Sequence, residues 1–403
     1  MFKKIKHPDL GLGGASRYHE AMDSAISPHP QINQLAERIR AAAADKTALR
    51  IRGGGSKDFY GLALQGETLD PRALSGIVSY EPSELVVTVY AGTPLAELEA
   101  VLAEKGQCLA FEPPHFGAHS TVGGMVAAGL SGPARASVGA VRDFMLGLEM
   151  LNGRGELLRY GGQVMKNVAG YDVSRLMAGS WGTLGLLTEL SLKVLPVAPA
   201  EATLRFACTQ QQALQWLNQW GGQPLPLNAS CWLHAADQPE GTLYLRLRGA
   251  RAAVQAACQR LLGECSGELL DNALVAPDWK LCREQALPWF AERAPEHCLW
   301  RLSVPQTAPV LALPQGCTGP LIEWHGAQRW VQAPRGLGAQ LQALTASVGG
   351  SATLFRAEGA GQIGGSPVFA AAADSALAVL HQRLKQAFDP HAIFNPGRLA
   401  SAW

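Results

Sequence analysis

The stretch Arg50-Ile51-Arg52-Gly53-Gly54-Gly55-Ser56-Lys57-Asp58-Phe59-Tyr60-Gly61 puts three consecutive glycines behind a short apolar run that begins near Thr47. Glycine lacks a Cβ, so successive main-chain N–H groups can turn toward one point and form an anion-binding nest. Arg52, Ser56 and Lys57 add donors and charge around it, and a diphosphate would suit such a nest. Spacing excludes two commoner phosphate motifs. A dinucleotide fingerprint needs a third glycine where Asp58 stands, and a P-loop needs glycine immediately before its lysine, where Ser56 stands. The alternative reading is a plain glycine-rich turn between strands. His115 and His119 could ligate a metal, but no nearby acid or cysteine completes a ligand set, so no metal is expected.

The elements that must position the cradle can be read around it. Pro30 to Ala44 spaces Ile32, Leu35 and Ile39 as a helix, and Thr47 to Ile51 is a strand that ends at the cradle. Two more strands are expected at Gly76–Tyr80 and Leu85–Tyr90. A helix follows, with Thr93 as N-cap, Pro94 as its first residue, Leu95, Leu98, Val101 and Leu102 as its stripe, and Gly106 as its stop. Phe111 to Gly117 holds two prolines and cannot be helix. It opens the small-residue segment Thr121 to Gly132, which allows either tight helix–strand packing or a planar ligand against main chain. Asn152-Gly153-Arg154-Gly155 marks a hairpin turn. Leu186, Thr188, Leu190, Leu192 and Val194 then alternate with Leu187, Glu189, Ser191 and Lys193 until Pro196 ends the strand.

A boundary is expected near Pro196 to Pro199, where the pattern changes. A strand at Thr203–Ala207 leads to the capping box Thr209-Gln210-Gln211-Gln212 and a helix carrying Leu214, Leu217 and Trp220. Strands at Ala229–His234 and Thr242–Leu247, a helix at Ala252–Leu262 and a strand at Glu268–Leu270 complete a βαββαβ order, an antiparallel sheet with helices on one face. A second similar set is expected from strands at Leu299–Val304, Leu321–His325 and Thr353–Arg356, with a helix at Leu337–Val348. The tail helix, about Asp374 to Phe388, has Leu377, Leu380 and Leu384 on one face. Most tryptophans of this half read as core.

With 403 residues the chain can bury a sizeable core in two or three domains. A formal net charge of +1 gives no electrostatic footprint for nucleic acid or an acidic membrane surface. No apolar run reaches about 18 residues, and Met1 to Pro8 lacks an apolar h-region, so a cytoplasmic protein is expected. The eight cysteines form no C-x-x-C pair, which disfavours zinc and iron–sulfur sites and fits free thiols of a reducing compartment. Residues 1–21 read as a disordered tail, with Met22 an alternative start.

Taken together, Arg52-Gly53-Gly54-Gly55-Ser56, Thr121-Val122-Gly123-Gly124, Val141-Arg142-Asp143, Lys166 with Gly170-Tyr171-Asp172, and Gly179-Ser180-Trp181-Gly182-Thr183-Leu184-Gly185 resemble the FAD-binding domain of the vanillyl-alcohol oxidase and p-cresol methylhydroxylase (PCMH) family. Phe388-Asp389-Pro390-His391-Ala392-Ile393-Phe394-Asn395-Pro396-Gly397-Arg398 closes the series. Within the family the resemblance goes furthest to the E-subunit branch of bacterial glycolate oxidases, from about Asp23 to the C-terminus. It implies an α+β chain: a PCMH-type FAD-binding domain at 22–199, a ferredoxin-like cap with an antiparallel sheet at 200–373, and a C-terminal segment at 374–403 that returns to the flavin. Gly53 to Lys57, with Arg52, would hold the FAD pyrophosphate. Pro114, Thr121, Val122, Gly123, Gly124 and Gly129 would line the cofactor, with Arg142 and Asp143 nearby. Lys166, Gly170, Tyr171 and the backbone from Gly179 to Leu187, with Gly179, Ser180, Gly182, Thr183, Leu184, Gly185 and Leu187 as its contacts, would close the other side, and Asn395 and Arg398 would lie near the isoalloxazine.

The resemblance also implies non-covalent FAD, since the cradle holds Ser56 and no histidine or cysteine; Cys108 and His115 are the nearest alternatives for a linkage. The implied role is a FAD-binding subunit of a glycolate oxidase complex, with a dehydrogenase-type FAD subunit and an iron–sulfur subunit as partners. Through them it could meet a membrane peripherally. The alternatives are a self-sufficient 2-hydroxy-acid dehydrogenase, such as one for D-lactate, and a non-redox scaffold. Where related dehydrogenase subunits carry a Gly-Glu-His-Gly stretch, this chain reads Glu358 to Gly365 with Gln362, so no base is evident and catalytic residues stay unassigned. Arg329, Arg356 and Arg398 could supply charge for a carboxylate, while His325 reads as an isolated, packed or surface histidine. A Gly54→Asp change is expected to cost cofactor more than folding.

Overall fold

The computed structural model describes residues 29–63, 65–162, 172–234, 240–357 and 376–400. Lys166, Gly170, Tyr171, Gln362 and the N-terminal stretch lie outside them.

Helix α1 (Pro30–Asp45) buries Ile32, Leu35 and Ile39 against strand β1 (Leu49–Ile51), which pairs in parallel with β2 (Glu67–Leu69). Strands β3 (Ile77–Glu81) and β4 (Val86–Tyr90) lead into α2 (Leu95–Glu104), whose following strand β5 (Gln107–Cys108) is two residues long. Thr93 does not cap α2. Its hydroxyl accepts from Gly76 N at 2.9 Å and donates to Tyr90 O at 2.7 Å, so it is tied to the end of β4, and Pro94 takes the capping position. The small-residue segment forms a real helix, α3 (Val122–Ala128), capped by the Thr121 hydroxyl and ended by Gly129 at φ 63°.

After α4 (Arg135–Val138) and the 3₁₀ turn Val141–Phe144 come the hairpin strands β6 (Met145–Leu151) and β7 (Leu157–Gly161), then α5 (Val173–Met177), β8 (Leu186–Lys193) and β9 (Leu195–Pro196). The five-stranded sheet runs β3-β4-β8-β6-β7, antiparallel throughout. The strict alternation expected of β8 fails. Glu149 pairs with Glu189 but Met150 pairs with Leu187, leaving Thr188 as a bulge, so Leu187 joins Leu190 and Leu192 in the core under α2 and α3. Leu186 instead enters the α1 cluster with Ile393 and Phe394.

The second half is one sheet of eight strands. The first βαββαβ set is β10 (Ala200–Cys208), α6 (Gln210–Gly221), β11 (Leu227–Leu233), β12 (Gly241–Gly249), α7 (Arg251–Glu264) and β13 (Glu268–Leu270), with the Thr209–Gln212 capping box formed as expected. Helices α8 (Asn272–Arg283) and α9 (Pro288–Ala291) follow, and sequence reasoning did not find them; Pro277 lies inside α8. The second set is β14 (His297–Ser303), β15 (Thr318–Glu323), β16 (Gln328–Pro334), α10 (Gly338–Ala346) and β17 (Ser351–Arg356). Strand β16 carries no sequence signal of its own, because both its faces are covered and it shows no alternation. In strand order β13-β10-β12-β11-β15-β16-β14-β17 the two sets join edge to edge where Cys231 meets Glu323.

The tail helix α11 (Ala376–Phe388) leaves Leu377 and Leu380 exposed, and only Leu384 of that face packs on the core. Its buried residue is Lys385, whose ammonium donates to Thr183 O at 2.7 Å, Phe394 O at 3.0 Å and the Asp389 carboxylate at 2.7 Å. Burial lowers the Lys385 pKa and Asp389 opposes the shift.

The eight-stranded sheet is clamped to the first by Glu112. Its carboxylate takes two bonds of 2.7 Å from buried Arg246 and one of 3.0 Å from Arg248. Burial pushes this carboxyl up, but the two arginines overcome that and hold it below the usual range. Such a pair is costly to break from one side, because the surviving charge is left desolvated. Beside it, Tyr60, Ala128 and Leu130 pack with Trp279, Trp330 and Phe355 from the other half.

Candidate FAD site

The loop after β1 turns because the chain around it leaves no room for side chains. A Cβ on Gly54 would stand 1.4 Å from the carbonyl oxygen of His119, and one on Gly53 would be 2.7 Å from the Thr121 hydroxyl. Gly55 has φ 71°. The expectation for Gly54→Asp is therefore corrected: any side chain at that position displaces the main chain at 119, so the local fold suffers first.

The charged groups of the cradle are partly committed within it. The Lys57 ammonium donates to Ser56 Oγ at 3.2 Å, His115 O at 3.1 Å and Ser120 Oγ at 3.2 Å. Burial lowers its pKa from 10.5 to about 8, with Glu284 opposing. Arg52 Nε donates to Asp58 at 2.6 Å. Lys57 thus offers charge rather than a spare donor.

A slot opens at this loop. Its walls include Arg52, Gly53, Gly54, Gly55, Ser56 and Lys57, then Thr121, Gly123 and Gly124 of the α3 start, Gly182, Gly185 and Leu187 before and within β8, and Asn395 and Arg398 of the tail. Arg398 donates to Leu62 O at 2.7 Å and Lys57 O at 3.0 Å, and burial lowers its pKa to about 10. Asn395 accepts from Ile51 N at 2.8 Å and donates to Trp181 O at 2.7 Å.

Several expected residues lie elsewhere. Val122 and Leu184 are packed in the core under α2 and α3. Ser180 and Thr183 are buried and bonded to one another, Thr183 Oγ1 donating to Ser180 O at 2.7 Å. Asp143 accepts from Ala140 N at 2.8 Å and closes its own turn. Pro114, Gly129, Arg142 and Gly179 line a second cavity of about 540 Å³ between the two halves, which adjoins the slot at Ala128 and Trp181. Slot residues that sequence reasoning missed are Ile51, Asp58, Pro71, Ala91, Ser120, Ala127 and Ala128, while Trp181 and Leu186 fall within the expected Gly179–Leu187 stretch. Trp181 sat inside a quoted motif; it holds φ 54° and stacks on Tyr60 at 4.6 Å.

The arginines expected to serve a carboxylate are otherwise engaged. Arg329 is buried and bonded to the carbonyls of Gly326, Ala308 and Pro309. Arg356 lies 3.7 Å over the Phe59 ring, with its pKa lowered to about 10 by burial. His325 is packed, as expected. Ser137 and Ser230 hold it, and burial lowers its pKa to about 4, so it is neutral. His115 pairs with Glu99 at 2.9 Å.

A family model described as a FAD binding domain matches residues 29–161. The chain is 44% identical to the glycolate oxidase subunit GlcE of Escherichia coli (strain K12) over 365 residues, 91% of this chain and 96% of that one. The chain belongs to the GlcE family. Glycolate oxidase subunit GlcD of Bacillus subtilis (strain 168) is 29% identical over 47% of this chain and 40% of its own length. The fold is that of p-cresol methylhydroxylase, with TM-score 0.67 at 13% identity, covering 91% of this chain and 87% of that one. The 4-ethylphenol oxidase of Gulosibacter chungangensis gives TM-score 0.67 at 14% identity, over 92% and 88% of the two chains. FAD is thus the cofactor of this GlcE-family chain, and the slot suits it. At Gly124 the only atom of the described residues near an added Cβ is the Thr121 hydroxyl at 3.1 Å, and Gly124 lines the slot, so a side chain there would enter it.

Gly124 and Gly54 therefore separate binding from folding. Gly124→Asp puts bulk and negative charge into the slot, while an acid in the first turn of α3 favours the helix. FAD affinity is expected to fall by about 100-fold, near 2.7 kcal/mol, with the apoprotein's unfolding midpoint unchanged or raised. Gly54→Ala is expected to lose about 2 kcal/mol of apoprotein stability from overpacking. Fluorescence titration with FAD and denaturant unfolding read the two effects; unchanged FAD affinity in Gly124→Asp would move the site.

Lys57 sets a pH dependence. Between about pH 8 and 10.5 the unfolded chain holds the proton that the folded apoprotein has lost, so apoprotein stability rises with pH across that window. A bound diphosphate favours charged Lys57, so FAD affinity is expected to fall above pH 8, by up to about tenfold per pH unit. Lys57→Met should flatten the profile, measured as FAD dissociation constant against pH.

Proposed function

We propose that this chain is the FAD-binding accessory subunit of a glycolate-oxidising complex, with the cofactor held non-covalently. The observation that carries the reading is the 44% identity to a glycolate oxidase subunit over nearly the whole of both chains. In this reading residues 22–199 with the tail from 374 form the cofactor unit, and residues 200–373 form the cap. The nest from Gly53 to Lys57 receives the diphosphate through main-chain N–H groups. Lys57 supplies charge, Arg398 and Asn395 fix the loop's shape, and the α3 glycines let the cofactor lie against backbone. When bound, FAD supplies two-electron redox chemistry at its ring. Partner subunits, one a dehydrogenase-type FAD chain and one carrying iron–sulfur clusters, would supply the oxidising site and the electron exit. No helix among the described residues is long and apolar enough to cross a membrane, and a peripheral membrane position would come through those partners.

A second reading, self-sufficient oxidation of a 2-hydroxy acid, is favoured by one observation. The cavity beside the slot is lined by Glu323 and His381, two titratable groups where sequence reasoning had found no base. Glu323 accepts from Cys282 at 3.0 Å, Gln328 at 2.9 Å and Trp330 at 2.5 Å. Burial raises its pKa, and those donors offset part of the shift. With both oxygens engaged it is a poor acceptor for a substrate proton, so the accessory reading is preferred.

The purified, FAD-loaded chain is expected to reduce an artificial electron acceptor with glycolate or D-lactate at least about 100-fold more slowly than the assembled complex, the scale of a missing base. Fast turnover by the lone chain would replace the accessory reading with the second. Full activity of the partner subunits without this chain would show that it is dispensable.

A further inference from the structure

Two walls of the slot are joined behind it by one buried ion pair. The wall before β8 carries Gly182 and Gly185, and the tail carries Asn395 and Arg398. One residue along the chain from Gly182 and from Asn395, the carbonyls of Thr183 and Phe394 accept from the same nitrogen, the Lys385 ammonium, at 2.7 and 3.0 Å. The third proton of that ammonium goes to Asp389 Oδ2 at 2.7 Å, so the full donor set of a lysine is in use. Asp389 in turn accepts from Ile393 N at 3.1 Å and Phe394 N at 2.8 Å, which folds the turn that delivers Asn395. An ordinary i,i+4 pair lies on a helix surface, whereas this one is buried and faces two loops.

The junction has no slack. Asn395 donates to Trp181 O at 2.7 Å and accepts from Ile51 N at 2.8 Å, and a Cβ on Gly182 would stand 2.7 Å from the Asn395 amide nitrogen. On the far side the β6–β7 turn closes on the pair: Gly153 N donates to Phe388 O at 2.8 Å, and a Cβ on Gly153 would stand 2.6 Å from Asp389 Oδ1. A shift of the ammonium therefore passes to both walls. Neither Lys385 nor Asp389 is among the described residues that line the slot. With opposite charges 2.7 Å apart, the pair offers a bound diphosphate little net field, so its influence on a ligand is geometric.

We propose that Lys385 and Asp389 are positioning residues for FAD: without touching the cofactor they fix the distance between the closing loop at Gly182–Gly185 and the tail turn at Asn395–Arg398, and so set how tightly the slot holds it. A slot already at its bound width loses no binding energy to gathering its walls. The inference rests on the reading of the slot as the FAD site and adds two residues that lie outside it. Removing one partner of a buried pair leaves the other charge unpaired and lowers stability, whereas removing both charges together is often close to neutral. That difference separates positioning from a purely structural role.

The test is FAD titration by flavin fluorescence, with denaturant unfolding, on the full-length apoprotein. It compares the parent with Gly124→Asp, Asp389→Asn, the double variant Lys385→Met/Asp389→Asn, and Leu261→Ala, a core lesion in α7 of the other half. The double variant keeps an acceptor oxygen for Ile393 N and Phe394 N. Its unfolding midpoint is expected to lie close to the parent's, while FAD binds about tenfold more weakly, through faster dissociation. Asp389→Asn alone is expected to weaken FAD about threefold, and it carries the test should the double variant not fold. Leu261→Ala should lower the midpoint and leave FAD affinity at the parent value. Parent-like FAD affinity in the folded pair variants, or a loss in Leu261→Ala as large as theirs, would overturn the proposal. Unchanged affinity in Gly124→Asp would overturn the slot reading itself, and the proposal with it.

Discussion

The cofactor loop depends on a contact between residues about 340 positions apart. Arg398 takes the carbonyls of Lys57, Asp58 and Leu62, and Asn395 takes the N–H of Ile51. These bonds satisfy the three loop carbonyls, so none of them is left as an unpaired buried acceptor. The tail is held in turn by Asp389, which accepts from Ile393 N and Phe394 N and pairs with buried Lys385. Phe394 bridges to Leu49 on β1, so this tail turn completes the layer from which the loop departs. Since loop-closure entropy grows only logarithmically with length, such a remote closure costs little more than a nearer one.

The second half affects the site through one interface. Glu112, at φ 49° in the proline-rich segment, binds Arg246 and Arg248, while Glu284 accepts from the N–H groups of His115 and Phe116. The same segment gives Lys57 its bond to the His115 carbonyl. The placement of the cap therefore reaches the cradle through three or four residues of main chain. The cavity between the halves lies beside this route, with Pro114, Phe116 and Arg283 in its wall.

Much of this architecture is legible in the sequence where local rules decide. The Thr209–Gln212 box and the Asn152–Gly155 turn depend on neighbours within four residues, and both formed as read. The failures have a common cause. Thr188 bulges because β6 and β8 differ by one residue in register, which neither strand reveals alone. Arg329 is the centre of a carbonyl cluster rather than a ligand group, because β16 is covered on both faces. Gly54 looked like a bare donor, yet its missing side chain makes room for main chain at His119, a contact set by a segment 65 residues further on. Trp181 lay within the stretch read as closing the cofactor site, but its left-handed turn and its stacking on Tyr60 come from tertiary placement.

The central claim is that the slot beside the Gly53–Lys57 loop holds one FAD without a covalent bond. The most direct measurement is the flavin content of the purified full-length chain before and after acid precipitation, compared with Gly124→Asp purified alongside. The account predicts close to one FAD per chain, all of it released to the supernatant by acid, and little in the variant. Yellow colour retained by the precipitate, or equal flavin in parent and variant, would contradict it.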